Sequence, residues 1–325
     1  MAIYNLDDID RHILYLLDIN ARMPTSKISK MVRLSKPAVE HRIEKLVSRG
    51  IIKEFQLATN PILIGYEHFK VYLQLQNTDV DIEQKILDYL KKHQNSFWVV
   101  SSRGRWDLMF SYHAQNVREF GEFLREFMDH FSEYILTRMV NMLECGIVFN
   151  RAYLWPGEKK VALEYGGKFK TIKLNPLDLK ILDLLRQNSR EKLVNISKRV
   201  GISPEAVRMR IKNMEKKQLI QGYKISLDLE RIGYESYLIA FKFRNLDSKI
   251  WRDIVAFANM NEHILYLPKT IGSHDLDIEV EVKDSKELDE FINSFRSRFG
   301  KVLQGFESAQ IIKEHKLEFY HPSKE

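Results

Sequence analysis

The side chains with the clearest capacity for chemistry are basic and amide residues at helical spacing: Arg208, Lys212 and Asn213. Such side chains donate hydrogen bonds to base edges and phosphates, so three of them on one helix face favour contact with a nucleic acid. A similar segment earlier in the chain holds Glu40, Glu44 and Lys45 at the equivalent positions. A carboxylate only accepts hydrogen bonds and is repelled by phosphate. We therefore expect the later segment to bind DNA more strongly than the earlier one.

A second candidate is a pair of Gly-x-x-Asp segments at residues 104–107 and 272–275. The glycine would let a ligand approach backbone amides, and the aspartate could accept an ammonium group. A tight hairpin turn with a capping aspartate fits the same residues equally well. The candidate effector-binding residues are Gly104, Asp107, Gly272, His274 and Asp275.

The elements that must position these residues occur twice, because the chain is an internal duplication. With Leu6 aligned on Leu174, the stretch Leu6–Glu67 matches Leu174–Glu235 without a gap, with 22 identities in 62 positions. Unrelated sequences would match at roughly one position in sixteen. We predict one two-domain unit written twice, with the Lys- and Gly-rich residues 151–173 as the connector.

The first domain of each unit has the pattern of a winged helix-turn-helix. Asp7 and Asn175 are suited to cap a first helix, and Ser35 and Ser203 a third, polar-faced helix. Residues 51–52 and 219–220 then begin the strands of a small wing. In this fold the last helix enters the major groove. A small helical packing module with a solvated face would show a similar pattern, but the duplication and the localised positive charge favour DNA binding.

The candidate DNA-binding residues lie on or beside the third helix of each unit. Arg42 and Arg210 flank its apolar side, so an internal salt bridge and a phosphate contact are equally open for them. The full set is Lys36, His41, Arg42 and Lys45 in the first unit, and Pro204, Arg208, Met209, Arg210, Lys212 and Asn213 in the second.

The second domain of each unit has the order strand, helix, strand, strand, helix, strand, which is ferredoxin-like with both helices on one face of the sheet. Such a sheet leaves its other face free, commonly to pair with another copy. The two ferredoxin-like domains are therefore expected to pair either within one chain or between chains. We predict an α+β fold of two winged helix-turn-helix domains (residues 1–60 and 174–228), each followed by a ferredoxin-like domain (residues 61–150 and 229–325).

Charge and composition agree with this organisation. Of the net charge of +7, residues 1–60 contribute 10 Lys or Arg against 7 Asp or Glu, and residues 174–228 contribute 12 against 6. Localised basic charge points to an anionic partner. The single cysteine, Cys145, reads as a core thiol and excludes an intramolecular disulfide or a zinc site of several thiolates. With no apolar run of about 20 residues and no signal-peptide pattern, we expect a cytoplasmic protein and no membrane partner.

Three motifs make the chain resemble the Lrp/AsnC (feast/famine) family of transcriptional regulators. They are Leu-Asp-x-x-Asp at residues 6–10, Gly-Tyr at 65–66 and 233–234, and Gly-x-x-Asp-Leu at 104–108 and 272–276. The resemblance covers nearly the whole chain, twice. It implies binding to double-stranded DNA and homo-oligomers formed through the ferredoxin-like domains. It also implies modulation by an amino acid or a similar small effector, bound at the Gly-x-x-Asp loops.

Two other classes of protein stay open. Siroheme decarboxylases look like paired units of this family, but their basic wing and Tyr/Asn-Leu-Trp motifs are not recognised here. Glu40 and Glu44 are compatible with an adaptor that has lost its affinity for DNA, against which salt-dependent DNA binding would argue. The sequence has no Gly-rich phosphate loop and no nucleophile motif, so we predict no catalytic residue, metal or cofactor. Histidines without metal-ligand spacing are His93, His113, His263 and His274.

Overall fold

The computed structural model describes residues 3–158, 160–167 and 170–318. The first repeat contains the helices α1 (Asp8–Ile19), α2 (Thr25–Val32), α3 (Lys36–Ser48), α4 (Val80–Lys92) and α5 (Val117–Phe131). Its strands are β1 (Ile52–Thr59), β2 (Glu67–Leu75), β3 (Ser96–Gly104), β4 (Leu108–Ala114) and β5 (Ile135–Phe149), and β6 (Ala162–Gly166) lies in the connector. None of the described helices is long and apolar enough to cross a bilayer.

The second repeat has the same order of elements. Its helices are α6 (Pro176–Gln187), α7 (Leu193–Val200), α8 (Pro204–Lys216), α9 (Ser248–Met260) and α10 (Ser285–Phe299). Its strands are β7 (Ile220–Leu227), β8 (Glu235–Phe243), β9 (Ile264–Gly272), β10 (Leu276–Val282) and β11 (Leu303–Leu317). The predicted α+β fold, with each helix-turn-helix unit followed by a sheet-containing domain, is confirmed.

Side-chain caps start the first and third helices of both helix-turn-helix domains, as the sequence predicts. Asp7 and Ser35 accept hydrogen bonds from the backbone N–H three residues on, at 2.7 and 3.3 Å. Asn175 and Ser203 do the same in the second repeat, at 2.9 and 3.2 Å. One core of buried apolar residues runs through both domains. Each domain therefore needs the other to bury its apolar surface.

The strands predicted to begin at residues 51–52 and 219–220 are present, but they do not form a separate wing in each helix-turn-helix domain. β1 and β7 instead pair with each other as an antiparallel two-stranded sheet, with Phe55 opposite Ile225 and Leu57 opposite Tyr223. The pattern of a strand is the same whether its partner belongs to a local hairpin or to the other repeat. The sequence therefore identifies the strands but not their pairing.

The two ferredoxin-like sheets close on each other within the chain. Their strand orders are β5-β2-β4-β3 and β11-β8-β10-β9. β3 pairs with β11, and β5 pairs with β9, so the eight strands form a closed ring. Helices α4 and α5, and likewise α9 and α10, pack on the outer faces. The inner faces meet in a further core that includes Tyr72, Trp106 and Leu238. The sheet faces expected to be free are thus covered within the chain.

The connector is packed against both repeats. Residues Ala152–Leu154 form a buried 3-10 turn, and β6 pairs antiparallel with the end of β5. Arg151 is buried between Asp18 of α1 and Glu281 of β10. This segment therefore ties the first helix-turn-helix domain to the second ferredoxin-like domain.

Candidate nucleic-acid interface and internal pocket

The last helix of each helix-turn-helix domain turns its predicted polar face to solvent. Val207, Ile211 and Met214 of α8 are buried, so the opposite side of that helix is free. Glu40 and Glu44 of α3 are exposed like their counterparts on α8. The predicted DNA-binding residues that are exposed are Lys36, His41 and Lys45 on α3, and Pro204, Arg208, Met209, Lys212 and Asn213 on α8. Their contact with DNA stays a prediction.

Arg42 and Arg210 differ from the rest of that set because both are ion-paired within the chain. Arg42 Nη1 lies 2.7 Å from Asp7 Oδ2 and 2.6 Å from Asp10 Oδ1. Arg210 Nη1 lies 2.9 Å from Asp178 Oδ1. Of the two interpretations left open by the sequence, the internal salt bridge is therefore formed in both repeats.

The two helix-turn-helix domains are joined by a reciprocal pair of arginines. Arg22 donates to the carbonyl oxygens of Ser189 and Glu191, at 3.0 Å from the latter. Arg190, its counterpart in the second repeat, donates likewise to carbonyl oxygens in the equivalent turn of the first repeat. Such reciprocity is the signature of a two-fold axis. Together with the β1–β7 pair, these bonds hold α3 and α8 in one mutual arrangement.

Both Gly-x-x-Asp segments connect strands, and their carboxylates are engaged by the fold. Asp107 accepts the backbone N–H of Leu75 at 2.8 Å. Asp275 accepts the backbone N–H of Phe243 at 2.8 Å and Lys242 Nζ at 2.9 Å. These contacts match the hairpin interpretation. Binding of an effector at these loops stays a prediction.

The glycines of these segments lie where one repeat meets the other. Gly104 has φ +129°, and a Cβ there would lie 2.8 Å from the carbonyl oxygen of Ser308 in β11. Gly272 occupies the equivalent place beside Asn141 of β5, with φ +150°. His274 is buried next to it, with Nε2 3.3 Å from Glu307 Oε2. The glycines therefore permit the close approach of strands that closes the ring.

A pocket lies between the β1–β7 sheet and the closed ring of strands. It has about 880 Å³ of empty space, part of it open to solvent. Its lining is mainly aromatic and aliphatic, with a smaller number of polar groups. The aromatic residues are Tyr66, Phe97, Trp98, Tyr165 and Tyr266, and the polar ones include Asn60, His68, His113, Gln221, Glu279 and Glu314. This mainly apolar lining with a few polar groups is typical of a small-molecule site.

Two histidines lie side by side on the strands that line this pocket. His68 of β2 is directly opposite His113 of β4. The Nε2 atom of His68 lies 3.1 Å from Ser111 Oγ. Burial, helped by the charge of Lys70, lowers the pKa of His68 to about 3, so its ring is neutral at pH 7.

The charged groups of the pocket are mostly committed to one another. Lys70 Nζ lies 3.1 Å from Asp277 Oδ2 and 3.2 Å from Glu279 Oε1. Burial raises the pKa of Glu279, and it raises that of Glu314 to about 7. Lys53 lies 4.0 Å from Glu314. In the described ranges, no group of three or more His, Cys, Asp or Glu side chains is arranged to hold a metal ion.

The pocket lies outside the sites predicted from the sequence. Its histidines are far apart along the chain and meet only when β2 pairs with β4. A signal for it does exist, because polar residues recur at every second position of otherwise apolar strands. These are His68 and Lys70 on β2, and Ser111 and His113 on β4.

Comparison with known proteins finds the duplication again. The AsnC-type helix-turn-helix domain matches residues 6–47 and residues 174–215. The HTH-type transcriptional regulator FL11 of Pyrococcus abyssi (strain GE5 / Orsay) is 28% identical over 120 residues, which are 37% of this chain and 78% of that regulator. An uncharacterized HTH-type transcriptional regulator of the same organism is 30% identical over 117 residues, 36% of this chain and 78% of the relative.

The chain belongs to the Lrp/AsnC family of DNA-binding transcriptional regulators. Within that family it carries the helix-turn-helix and ferredoxin-like unit twice in one polypeptide. The siroheme decarboxylase NirDL has a similar structure over 96% of this chain and 93% of its own, with a TM-score of 0.63 and 11% identity. At that identity the likeness shows a shared fold and nothing about activity.

Proposed function

We propose that one chain of this regulator binds a single asymmetric DNA site with both α3 and α8, and that α8 contributes more of the affinity. The observation that carries this proposal is the contrast between equivalent exposed positions. Arg208 and Lys212 stand on α8 where Glu40 and Glu44 stand on α3. We also propose that a small effector modulates the binding.

The electrostatics of the two faces support unequal binding. Arg208 is paired with Glu205 in the free chain, at 2.7 Å, but both side chains are exposed. Exposed ion pairs stabilise a fold by only about 0–1 kcal/mol. The Arg208 guanidinium can therefore leave Glu205 and bind a guanine or a phosphate. On α3, the exposed carboxylates of Glu40 and Glu44 place negative charge on the face that would meet DNA.

The arrangement of the helices supports a composite site. The Arg22–Arg190 pair and the β1–β7 sheet relate α3 and α8 by a pseudo-two-fold axis. Two helices related in this way meet half-sites at a fixed spacing. Because their exposed side chains differ, the two half-sites should differ in sequence.

The test is selection of bound sequences from random duplexes, followed by titration at low and high salt. We expect one enriched asymmetric site and an affinity that falls steeply as the salt concentration rises. A symmetric site, or no binding at low salt, would contradict the proposal.

A pair of double variants tests the inequality of the two helices. Arg208→Ala with Lys212→Ala should weaken binding to the selected site by about tenfold or more, since each good base contact contributes about 1–3 kcal/mol. Glu40→Ala with Glu44→Ala should leave the affinity unchanged or improve it, because it removes negative charge. A gel-shift titration measures both, and equal losses would defeat the claim.

A second candidate function is suggested by the pocket and the NirDL likeness. A related solved structure is NirDL in complex with an iron-uroporphyrin III analogue, at a TM-score of 0.64 and 11% identity. The adjacent His68, which is half-buried, and His113, which is buried, are the observation that favours a tetrapyrrole here. Titration with that analogue, followed by its absorbance, tests this candidate. A shifted spectrum that His113→Ala abolishes would support it. If the chain binds neither the tetrapyrrole nor DNA, an adaptor without affinity for DNA is the remaining candidate.

A further inference from the structure

The duplication creates two equivalent positions for a pocket, and the chain fills one of them with its own connector. Tyr66 and His113 line the open pocket. Their counterparts in the second repeat are Tyr234 and Glu281. There the ring of Tyr153 stacks on Tyr234 with centroids 4.3 Å apart, and its hydroxyl donates to Glu281. Tyr153 belongs to the buried turn at 152–154. The second position is thus occupied from within, by an aromatic ring with a hydrogen-bonding group.

The open pocket is lined by residues that could bind a similar aromatic ring. Tyr66 takes the place of Tyr234, and Phe97, Trp98 and Tyr165 add flat apolar surface. Asn60 on this wall is fully buried, and no described residue accepts a hydrogen bond from its Nδ2 atom. A buried donor without an acceptor is unfavourable, and a ligand with a hydrogen-bond acceptor would remove that cost.

The charges on the walls decide which ligands are excluded. The only lining cation among the described residues is Lys70, and Asp277 and Glu279 already hold it. Glu314 adds a further carboxyl group, opposed by the half-exposed Lys53. Ser111 on β4 is the counterpart of Glu279 on β10 in the second repeat, and both residues line the open pocket. Among the described residues, no wall group is left to neutralise an anion, so a negatively charged ligand would be repelled. This excludes the carboxylate-rich iron-uroporphyrin III analogue as well, so binding of that analogue in this pocket would contradict a preference for uncharged or cationic ligands.

We propose that this pocket binds one flat aromatic compound per chain, without net negative charge, which packs on Tyr66 and accepts a hydrogen bond from Asn60. The site is distinct from the Gly-x-x-Asp loops at the junctions of the ring. Its occupant contacts the strands that follow the DNA-binding helices, since Thr59 ends β1 and Gln221 belongs to β7. Regulation of DNA binding by this ligand rests on the proposed function.

The test uses three compounds with the same ring and different charge: indole, tryptamine and indole-3-acetate. Calorimetry on the full chain, without DNA, should show neutral indole and cationic tryptamine binding at one site per chain. Indole-3-acetate should bind at least about tenfold more weakly, a difference of about 1.4 kcal/mol. Binding by none of the three, two sites per chain, or tightest binding of the anion would each overturn the proposal.

A matched pair of variants on the edge strand β6 locates the site. Leu163 lines the pocket and is half-buried, whereas its neighbour Ala162 is exposed. Leu163→Trp should fill the pocket and lower the affinity for tryptamine about tenfold or more, and Ala162→Trp should leave it within about twofold. Equal effects of the two substitutions would place the binding elsewhere.

Gel shifts on the selected duplex with and without tryptamine test the regulatory part. We expect the ligand to change the DNA affinity by several fold, and Leu163→Trp to abolish that response. Ligand binding with an unchanged DNA affinity would overturn the regulatory part alone. Ligand binding by a chain that binds no DNA would defeat the proposed function and leave the pocket proposal standing.

Discussion

Arg151 is the residue through which the connector joins the two halves of the molecule. Its guanidinium lies 2.8 Å from Asp18 and 2.8 Å from Glu281, and Lys224 Nζ lies 3.4 Å from the same Asp18. Burial acts against the charge of Arg151, but Glu281 and Asp18 outweigh it and raise its pKa. A buried cluster of this kind is costly to break, because removal of one member leaves its partners charged and desolvated.

Replacement of Arg151 by alanine should therefore be strongly destabilising. We expect Arg151→Ala to lower the free energy of unfolding by about 3–5 kcal/mol. Arg103 is exposed on β3, so Arg103→Ala should change it by less than about 0.5 kcal/mol. Denaturant titration measures both. A loss below about 1 kcal/mol for Arg151→Ala would mean that the cluster does not stabilise the fold.

Glu314 gives the stability a defined dependence on pH. Its pKa is raised by burial to about 7 in the folded chain, from 4.5 when unfolded. The folded state thus holds a proton that the unfolded state has lost, and stability falls as pH rises from 4.5 through 7. Solvent reaches 27% of the side chain. We therefore expect Glu314→Gln to be near neutral at pH 4.5 and more stable than the wild type by about 1–2 kcal/mol at pH 8.

The control carboxylate for that measurement is Glu164, which is exposed on β6. Thermal or denaturant unfolding of Glu164→Gln across the same range should show a difference from the wild type that does not change with pH. If the stability difference between Glu314→Gln and the wild type is also independent of pH, burial does not raise the pKa of Glu314.

At the scale of elements, the exposed face of α8 and the helix caps follow from the sequence, because the 3.6-residue period and the capping residues are local signals. The β1–β7 sheet does not follow, since nothing local distinguishes a partner in the same repeat from one in the other. The pocket does not follow either. Its lining runs from Ala58 to Leu317 and includes residues of ten strands, all of those described except β8. Local patterns therefore predict the exposed faces of α3 and α8 and miss the pocket formed by long-range pairing.

The Arg22–Arg190 pair should set the spacing between half-sites that α3 and α8 accept under the proposed function. Arg22→Ala removes the donor from two carbonyl oxygens of the second repeat. We expect the affinity for the selected site to fall about tenfold, because a loosened link lowers the effective concentration of the second helix. Insertion of a few base pairs between the half-sites should then weaken the variant less than the wild type.

The control for this spacing experiment is Arg252→Ala, an exposed position on α9 of the second ferredoxin-like domain, outside both helix-turn-helix domains. It should keep the wild-type affinity and the wild-type response to spacing. An Arg22→Ala variant with the same sharp spacing preference would show that the β1–β7 sheet alone holds the helices.

At the scale of the whole molecule, the ring of eight strands makes the two repeats one structural unit. Their inner sheet faces share a core, and the helix-turn-helix domains share another. Assembly into homo-oligomers stays a prediction, and it would have to use the outer surfaces because the inner faces are already covered.

Because the two repeats form one structural unit, we expect them to stay associated after the connector is cleaved. Residues 156–158 are exposed between the buried turn and β6. Cleavage at a protease site inserted there should leave the two halves together, because the ring and the shared cores do not depend on that peptide bond. Size-exclusion chromatography should show one peak at the elution volume of the uncut chain. Two separate peaks would show that the halves need the covalent link.

The filled second pocket has a genetic consequence. In a dimer of identical subunits every mutation appears twice, so one site cannot be blocked without blocking its twin. In this chain the codons for the two halves are separate. A substitution on α8 or at Tyr153 therefore changes one half and leaves the other as it was. Selection can act on the exposed helix face of one half and on the cavity of the other independently, while translation always delivers the two halves in equal number.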